Sequence, residues 1–220
     1  MTEPDFVTAT RTFYDTVAED YSDRFREGHA RDPLERALLG AFAETVGRRG
    51  PVADLGCGPG RVTAYLAGLG LDVFGMDLSE GMLAVARREH PELRFEQGSM
   101  LASGLDDGRL AGVVCWYSSI HTPPERLPDL FGEFHRVLAP GGHLLVAFQV
   151  GDRTRFHDRP FGHDVTLGFQ RRRPERIEEL LGGAGFTMLS RTVREADEER
   201  GEYVPQAFLL ARRTPPRASL

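Results

Sequence analysis

The chain has 220 residues, of which 40% are hydrophobic and 27% charged, and this composition predicts one globular domain with a full hydrophobic core. Its formal net charge of −6 argues against a large nucleic-acid interface, which requires a basic face to release counterions. No apolar run reaches membrane-spanning length and residues 1–6 lack the features of a secretory signal, so we expect a cytoplasmic protein that binds neither nucleic acid nor membrane.

The N-terminal part of the chain predicts two helices. The second runs from Pro33 to Val46, with proline in its first turn and Gly47 after its end. The first covers residues 6–27, and its simplest interpretation is an amphipathic segment that covers the domain. Its aromatic and apolar residues recur near helical spacing: Phe6, Phe13, Tyr14, Val17, Ala18, Tyr21 and Phe25.

A glycine-rich turn follows between a predicted strand at residues 52–55 and a predicted helix at residues 61–67. Three glycines at alternate positions allow the backbone to turn tightly beside a ligand, where a Cβ would clash: Gly56, Gly58 and Gly60. The dinucleotide pattern Gly-x-Gly-x-x-Gly is absent, because its last glycine would fall on Arg61, and no Gly-Lys-Ser/Thr marks a phosphate loop. A structural turn in another kind of α/β protein remains open at this point.

The second predicted strand, residues 71–77, ends in Asp77. In a doubly wound sheet an acid at this position binds both ribose hydroxyls of a cofactor, because a carboxylate accepts two hydrogen bonds at once. The alternative role, an N-cap of the next helix, is weaker because Ser79 already supplies one. Residues 93–97 predict a short third strand, which is followed by Ser99 and Met100.

Residues 110–117 are apolar along their length, which is typical of a central parallel strand buried on both faces. His121 follows this strand closely. Residues 122–125, Thr-Pro-Pro-Glu, predict the N-cap and first turn of a helix that ends at Leu138. A tight turn at residues 139–143 then leads into a fifth strand.

The C-terminal part begins with a polar loop at residues 151–172, which has no obvious regular structure and is rich in Arg, His and Asp. A helix from Arg173 to Leu181 follows. Residues 186–193 and 203–212 predict two strands, and the acidic connection between them is short enough for antiparallel pairing. The tail at residues 213–220 predicts disorder.

Three stretches resemble motifs of the class I S-adenosylmethionine (SAM)-dependent methyltransferases. Residues 54–60 resemble motif I of that family, Asp-x-Gly-x-Gly-x-Gly, with Asp54 at the acidic position. Residues 133–142 resemble the family's segment of helix, Leu-x-Pro-Gly-Gly and strand, and residues 14–21, Tyr-Asp-x-x-Ala-x-x-Tyr, resemble the N-terminal lid of its small-molecule members. Motif I and the Pro-Gly-Gly segment in their proper order identify the chain as a member over about residues 10–212.

The resemblance implies the architecture of the whole chain. The expected fold is α/β, a doubly wound Rossmann-like sheet of seven mostly parallel strands with an antiparallel last strand and helices on both faces. The expected organisation is a single domain over residues 1–220, with a helical lid at 1–30, a core at 31–212 and the disordered tail.

The resemblance also implies SAM as the cofactor. Asp77 is expected to bind the ribose, and the lid tyrosines to meet the cofactor carboxylate or close over the substrate. Ser99 replaces an acid that in the family accepts a hydrogen bond from the adenine amino group. The cofactor-binding residues predicted in this way are Tyr14, Tyr21, Asp54, Gly56, Cys57, Gly58, Gly60, Asp77, Leu78, Met82, Ser99, Met100 and Tyr117.

The implied function is methyl transfer from SAM to an O, N or C atom of a small-molecule metabolite, by a monomer or a homodimer. A nucleic-acid amine is disfavoured as acceptor, because Asn/Asp-Pro-Pro-Tyr is absent directly after the fourth strand. Two alternatives remain: a non-catalytic SAM-binding relative that acts as a scaffold or regulatory subunit, and a nicotinamide-dependent oxidoreductase. The misplaced third glycine counts against the latter.

His121 is the predicted catalytic residue. It follows the carboxyl end of the fourth strand, where ligands gather in open α/β sheets, and imidazole titrates near neutral pH. A purely structural role at the start of the next helix remains the alternative. The predicted substrate residues are Gln149, His157, His163 and Arg171.

No metal is expected. His-Asp pairs at residues 157–158 and 163–164 repeat at six-residue spacing, but the sequence predicts no helix or hairpin that would fix their geometry. Cys57 and Cys115 form neither a zinc spacing nor a disulfide framework. The arginines at 153, 155, 159 and 171–173 are interleaved with acids, and this pattern favours a solvated face over an anion site.

Overall fold

The structure, a computed structural model, describes residues 5–25 and 32–215. The end of the predicted first helix and most of the predicted disordered tail lie outside these residues. Within them the chain forms nine strands: β1 Val52–Leu55, β2 Val73–Asp77, β3 Phe95–Gln97, β4 Leu110–Trp116, β5 Leu138–Gln149, β6 Thr154–Asp158, β7 Thr166–Gln170, β8 Phe186–Arg194 and β9 Gln206–Arg213.

Seven of these strands form one sheet in the order β3-β2-β1-β4-β5-β9-β8. Strands β1 to β5 pair in parallel, whereas β9 is antiparallel to both of its neighbours. The central strands are buried on both faces, as their continuous apolar sequences require. The predicted doubly wound α/β fold with an antiparallel last strand is therefore confirmed.

The described helices are α1 Asp5–Arg24, α2 Pro33–Val46, α3 Arg61–Gly68, α4 Glu80–Glu89, α5 Leu127–Val137 and α6 Pro174–Gly183. Local sequence explains where two of them begin. Asp32 accepts hydrogen bonds from the backbone N–H groups of Leu34 and Glu35, and Ser79 accepts one from Met82. The predicted N-cap at Ser79 is confirmed. No helix in the described ranges is long and apolar enough to cross a membrane.

The apolar core lies in two layers, one on each face of the sheet. One layer packs Leu39, Phe42 and Val46 of α2 against the sheet, together with residues of α3. The other packs Phe131 and Phe134 of α5, with residues of α6, against the opposite face. The helices of these two layers do not cover the edge formed by the carboxyl ends of β1, β2 and β4, and the strand order reverses there, between β1 and β4.

Two sequence expectations were wrong. Residues 151–172 are not a loop, because β6 and β7 pair as an antiparallel hairpin that we call the β6–β7 arm. The helix predicted from residue 122 begins later, at Leu127, after a short 3-10 turn at Pro124–Arg126. The arm was missed because most of its side chains are exposed, so its sequence lacks the alternation of a half-buried strand.

Candidate active site

A cavity of about 880 Å³ opens at the carboxyl ends of β1, β2 and β4, beneath α1 and the β6–β7 arm. It is large enough for a cofactor together with a small molecule. Most of the predicted site residues line it: Tyr14, Tyr21, Gly56, Cys57, Gly58, Asp77, Leu78, Met82, Ser99, Met100, Tyr117, His121, Gln149, His157 and Arg171. Asp54, Gly60 and His163 do not line it.

The three loop glycines serve different purposes. A Cβ at Gly56 would lie 2.3 Å from the Cβ of Ser118, and one at Gly60 would lie 2.7 Å from the Phe95 ring. Both glycines are therefore required by packing within the protein. Gly58 has a φ of +53° and no neighbouring atom within 4 Å of its Cβ position, although it lines the cavity. Gly58 is thus the glycine that leaves room for a ligand.

Asp77 lies at the end of β2, directly beside the glycine loop. Its Oδ2 accepts a hydrogen bond of 2.8 Å from the backbone N–H of Gly58, and its Oδ1 accepts one of 2.9 Å from that of Ser79. Burial raises the pKa of this carboxyl, and the two backbone bonds oppose that rise. Each carboxylate oxygen has more than one lone pair, so Asp77, which lines the cavity, can still accept hydrogen bonds from a ligand there.

Asp54 occupies a different environment from Asp77. Its side chain is 1% exposed, and its Oδ2 accepts a hydrogen bond of 2.7 Å from the Thr63 hydroxyl. Its Oδ1 is buried and has no hydrogen-bond partner among the described residues. Burial raises the pKa of Asp54 to about 7. Asp54 does not line the cavity. Its predicted contact with the cofactor therefore stays a prediction.

The corner after β3 provides mainly apolar surface. Met100 and Ser99 line the cavity here, beside Leu78, which directly follows β2. The Ser99 hydroxyl accepts a hydrogen bond of 3.3 Å from the backbone N–H of Leu101, which leaves its own proton available as a donor. A hydroxyl at this position offers a ligand a neutral group where the family pattern has a carboxylate.

His121 lies in the 3-10 turn Ser119–His121, just after β4. Its Nε2 is 2.8 Å from the Tyr14 hydroxyl, and either group donates in this hydrogen bond according to the tautomer of the imidazole. The His121 ring makes edge contacts with Tyr14 at 5.3 Å and with Phe169 at 4.8 Å between ring centroids. Residues of α1 and β7 therefore hold the imidazole from two sides.

Burial lowers the pKa of His121 to about 4, although a backbone contact with Gly168 opposes the change. The positive charge of Arg172 and the neighbouring His157 lower it further. His121 is therefore neutral at physiological pH and able to accept a proton. Burial also raises the pKa of Tyr14 well above its usual value of 10.0, so its hydroxyl keeps its proton.

Helix α1 is fixed to α4 beside Tyr14. Asp15 accepts hydrogen bonds of 2.6 Å from the Ser79 hydroxyl and 3.0 Å from the backbone N–H of Gly81. A Cβ at Gly81 would lie 3.1 Å from the backbone of Asp15, so the two helices approach closely. The acid of the Tyr-Asp-x-x-Ala-x-x-Tyr pattern thus anchors the helix that presents Tyr14.

The β6–β7 arm forms one wall of the cavity. The rings of His157 and Phe169 are in contact, with centroids 4.3 Å apart, and Arg171 follows β7. His163 points elsewhere, because its Nε2 is 2.8 Å from Oδ2 of Asp20 on α1. Of the two histidines predicted to contact the substrate, the structure brings His157 to the cavity and uses His163 to join the arm to α1.

Sequence analysis missed Glu35, which lines the cavity from α2 although its side chain is largely buried. The Tyr117 hydroxyl donates a long hydrogen bond of 3.4 Å to its Oε1, and Arg194 lies 3.7 Å away. Burial and the neighbouring Asp32 raise the pKa of Glu35 to about 7. Tyr117 itself has a φ of +55°, an unusual backbone geometry that often occurs at functional sites.

We expect Glu35→Gln to change how stability depends on pH. The native pKa of about 7 exceeds the usual value of 4.5, so the folded state binds an extra proton between these values and loses stability as pH rises through them. The glutamine variant lacks this loss, because its carbonyl still accepts from Tyr117 without ionising. The free energy of unfolding, measured with urea, should therefore rise in the variant relative to the parent between pH 5 and pH 8, by on the order of 1–3 kcal/mol.

Asp54 titrates in the same pH range in both proteins, so its contribution cancels in the comparison. If the free energies of unfolding of the parent and of Glu35→Gln changed with pH in parallel across this range, Glu35 would not be a buried carboxyl that binds a proton in the folded state.

Comparison with known proteins gives a consistent result. A family model described as a methyltransferase domain matches residues 52–142. The demethylmenaquinone methyltransferase of Chlorobaculum tepidum is 37% identical over 184 residues, which cover 74% of this chain and 71% of that protein. The chain spans about half the length of several other curated relatives, with alignments that cover 59%, 45% and 37% of them.

Solved structures share the fold at low sequence identity. The 1,6-didemethyltoxoflavin-N1-methyltransferase of Burkholderia thailandensis, solved with its substrate and S-adenosylhomocysteine, has a TM-score of 0.73 at 21% identity and covers 97% of this chain and 92% of its own. The [4+2]-cyclase SpnF has a TM-score of 0.73 at 18% identity and covers 94% of this chain and 96% of its own.

Proposed function

We propose that this chain, which belongs to the class I SAM-dependent methyltransferases, transfers a methyl group from SAM to an O, N or C atom of a small molecule. The observation that carries the proposal is a single cavity that joins Gly58 and Asp77 on one side to Tyr14, His121 and the β6–β7 arm on the other. The side with Gly58 and Asp77 fits a nucleoside. The other side offers His121 as a proton acceptor and the β6–β7 arm as a wall for the acceptor molecule. Such an arrangement would bring cofactor and acceptor next to each other, which supports the proposal.

The residues present fit SAM. The Asp77 carboxylate can accept hydrogen bonds from vicinal ribose hydroxyls, Gly58 leaves open space beside the loop, and Leu78 and Met100 provide apolar surface for a base. When bound, SAM supplies an electrophilic methyl group on a sulfonium centre. Everything else that the reaction requires must come from the side chains of this chain and from the acceptor itself.

The main contribution of the protein is orientation. Holding two reactants in line supplies roughly 7–11 kcal/mol of a barrier, so a transferase of this kind needs few catalytic groups. Helix α1 and the β6–β7 arm line the cavity from above, where they would shield a bound cofactor and acceptor from water. Where the acceptor must lose a proton, His121 takes it, with Tyr14 and Phe169 holding the imidazole in place.

Calorimetry and a turnover assay together test the proposal. We expect the protein to bind SAM and S-adenosylhomocysteine, and to release S-adenosylhomocysteine when a metabolite library contains its acceptor. Binding without turnover on any acceptor would favour the non-catalytic alternative. Failure to bind either nucleoside would contradict the proposal, and binding of a nicotinamide cofactor instead would favour the oxidoreductase.

The proposal also covers the class of acceptor, the cellular compartment and the oligomeric state. We propose a small-molecule acceptor rather than a nucleic acid or a membrane component, in the cytoplasm, with the chain acting as a monomer or homodimer. The net charge of −6 supports the first part, because a nucleic-acid interface of normal size requires a basic face.

A further expectation concerns α1, which we propose to act as a lid. Amide hydrogen exchange over residues 6–25 should slow when S-adenosylhomocysteine is added, because Tyr14 and Tyr21 line the cavity and would pack on the ligand. Helix α5 contributes no residue to the cavity lining and serves as the internal control. Equal exchange in α1 with and without ligand would show that α1 is not a lid and only packs against α4.

A further inference from the structure

The β6–β7 arm brings positive charge to the cavity. Arg155 of β6 and Arg171, just after β7, both line it, with His157 also at the cavity wall. Both guanidinium groups lower the pKa of His157, in addition to the effect of its burial, which indicates that they lie close to its ring. Among the described residues, Arg155 and Arg171 are the charged groups of the arm that line the cavity beside His157. This end of the cavity is therefore electropositive.

The three consecutive arginines after β7 have different surroundings. Arg173 points to the surface and pairs with Asp152 at 2.7 Å. Arg172 is 6% exposed and donates to the backbone carbonyl groups of Ser119 and Thr122, so it holds the segment that carries His121. Arg171 faces the cavity, and its Nε is buried with no hydrogen-bond partner among the described residues. Only Arg171 of the three is left free to bind a ligand.

Arg155 also has no carboxylate partner in the part of the chain that the structure describes. Its guanidinium lies over the ring of Tyr203, 5.5 Å from the ring centroid. An aromatic ring orients a guanidinium without neutralising its charge, so the hydrogen-bonding edge of Arg155 remains available.

Among the described residues, no acid of the cavity lining forms an ion pair with Arg155 or Arg171. Glu202 pairs with Arg194 at 2.7 Å, and Glu35 lies 3.7 Å from the same arginine. Asp77 is engaged with the backbone of the glycine loop. Two arginines in a partly enclosed cavity without an acidic partner leave an electrostatic deficit that an anionic ligand would fill.

We propose that Arg155 and Arg171 bind a carboxylate group of the methyl acceptor at the β6–β7 arm. A carboxylate fits because a guanidinium presents its donors in a planar fork that matches two carboxylate oxygens, and Gln149 adds a neutral amide at the same cavity. The inference rests on the proposed function, and it names the acceptor class as organic acids. The carboxylate serves as the anchor, whichever atom of the acceptor receives the methyl group.

The test compares organic acids with their primary amides, which have nearly the same shape and no charge. Protein saturated with S-adenosylhomocysteine is titrated with benzoate, phenylacetate and aliphatic dicarboxylates and with the matching amides, and the thermal midpoint is followed. We expect the acids alone to stabilise the parent. Arg155→Gln and Arg171→Gln should each weaken that binding about tenfold, the loss of one charge-assisted hydrogen bond.

The neighbouring exposed residue Arg153 provides the matched control. Arg153→Gln removes the same charge from the same arm, outside the cavity lining, and should behave as the parent. The affinity for S-adenosylhomocysteine should stay within about twofold in all variants, since the arginines are assigned to the acceptor and a twofold change is well below the loss of one charge-assisted hydrogen bond.

Three results would overturn the inference. A tenfold loss of S-adenosylhomocysteine affinity in Arg171→Gln or Arg155→Gln would assign the arginines to the carboxylate of the cofactor. Equal stabilisation by acids and amides, or none by any acid, would remove the anion site. An equal effect of Arg153→Gln would indicate general charge attraction. Failure of the parent to bind S-adenosylhomocysteine is a separate outcome, which contradicts the proposed function itself.

Discussion

Replacing Asp77 by alanine should weaken the binding of SAM and S-adenosylhomocysteine by on the order of 10²-fold, because two charge-assisted hydrogen bonds to the ribose are lost. Calorimetric titration of both nucleosides measures the effect directly. We expect a large effect because the backbone N–H groups of Gly58 and Ser79 hold the Asp77 carboxylate in place. The carboxylate is therefore oriented before any ligand binds.

The same backbone contacts require a control for damage to the loop. Asp77→Asn keeps the shape and part of the hydrogen bonding but loses the charge, and should fall between the parent and Asp77→Ala. Asp72→Ala removes an exposed acid that precedes the same strand, outside the cavity lining, and should leave binding unchanged. Parent-like affinity in Asp77→Ala, with the thermal midpoint preserved, would show that the cofactor site has been placed wrongly.

A steric variant tests the site independently of charge. Gly58→Val should abolish nucleoside binding, because its side chain would enter the open space of the cavity while meeting no protein atom within 4 Å of its Cβ. The left-handed φ of Gly58 adds a backbone cost to any substitution. Gly104→Val is the matched control, since Gly104 has a φ of +71°, equally open surroundings and no place in the cavity lining. Loss of binding in both variants would indicate backbone strain instead of a block.

The main sheet was predictable because burial on both faces leaves a direct mark on the sequence. The residues of β4 and residues 144–148 of β5 are apolar without alternation, and such runs are typical of strands buried on both faces. The β6–β7 arm lies outside this sheet. Only Leu167 of its strand residues is fully buried, against Phe13 and Val17 of α1, and a contact between segments this distant along the chain leaves no local periodicity.

The part of the cavity around Asp77 and Gly58, which we propose to bind the cofactor, was predictable to a similar degree. Asp77 and Gly58 occupy positions that the ends of β1 and β2 determine, so strand boundaries alone place them at the cavity. The spacing of the three loop glycines could not show that Gly58 faces the cavity whereas Gly56 and Gly60 are required by packing. Phe95, whose ring excludes any side chain at Gly60, lies on a different strand.

The acceptor half was less predictable, although one signal was present. Glu35 falls on the apolar stripe of α2 with Leu39, Phe42 and Val46, at helical spacing. An acid among residues that face the core is expected to be buried, and a buried acid beside a cavity is a candidate for function. The pairing of His163 with Asp20 had no such signal, because it depends on how the arm folds over α1.

Replacing His121 by alanine should lower turnover by roughly 10²–10⁴-fold while SAM affinity is kept, if the imidazole takes a proton in the transition state. If it only positions the acceptor, the loss should be smaller and should appear partly in KM. His121→Asn separates the two roles, because an amide keeps a hydrogen bond to Tyr14 but carries no proton at neutral pH. His135→Ala is the matched control, since His135 is also half-buried and contacts a ring, that of Phe186, away from the cavity.

The pH dependence of kcat/KM identifies the proton acceptor. A pKa of about 4 keeps His121 neutral above that value, so with His121 as the base activity should be flat between pH 6 and 8 and fall only near pH 4. Glu35 lines the same cavity with a pKa of about 7, and as the base it would give an acid limb near pH 7 that Glu35→Gln removes. Full activity of His121→Ala and His121→Asn with the true acceptor would exclude the imidazole from the mechanism. Proximity and desolvation, with or without Glu35, would then account for the catalysis.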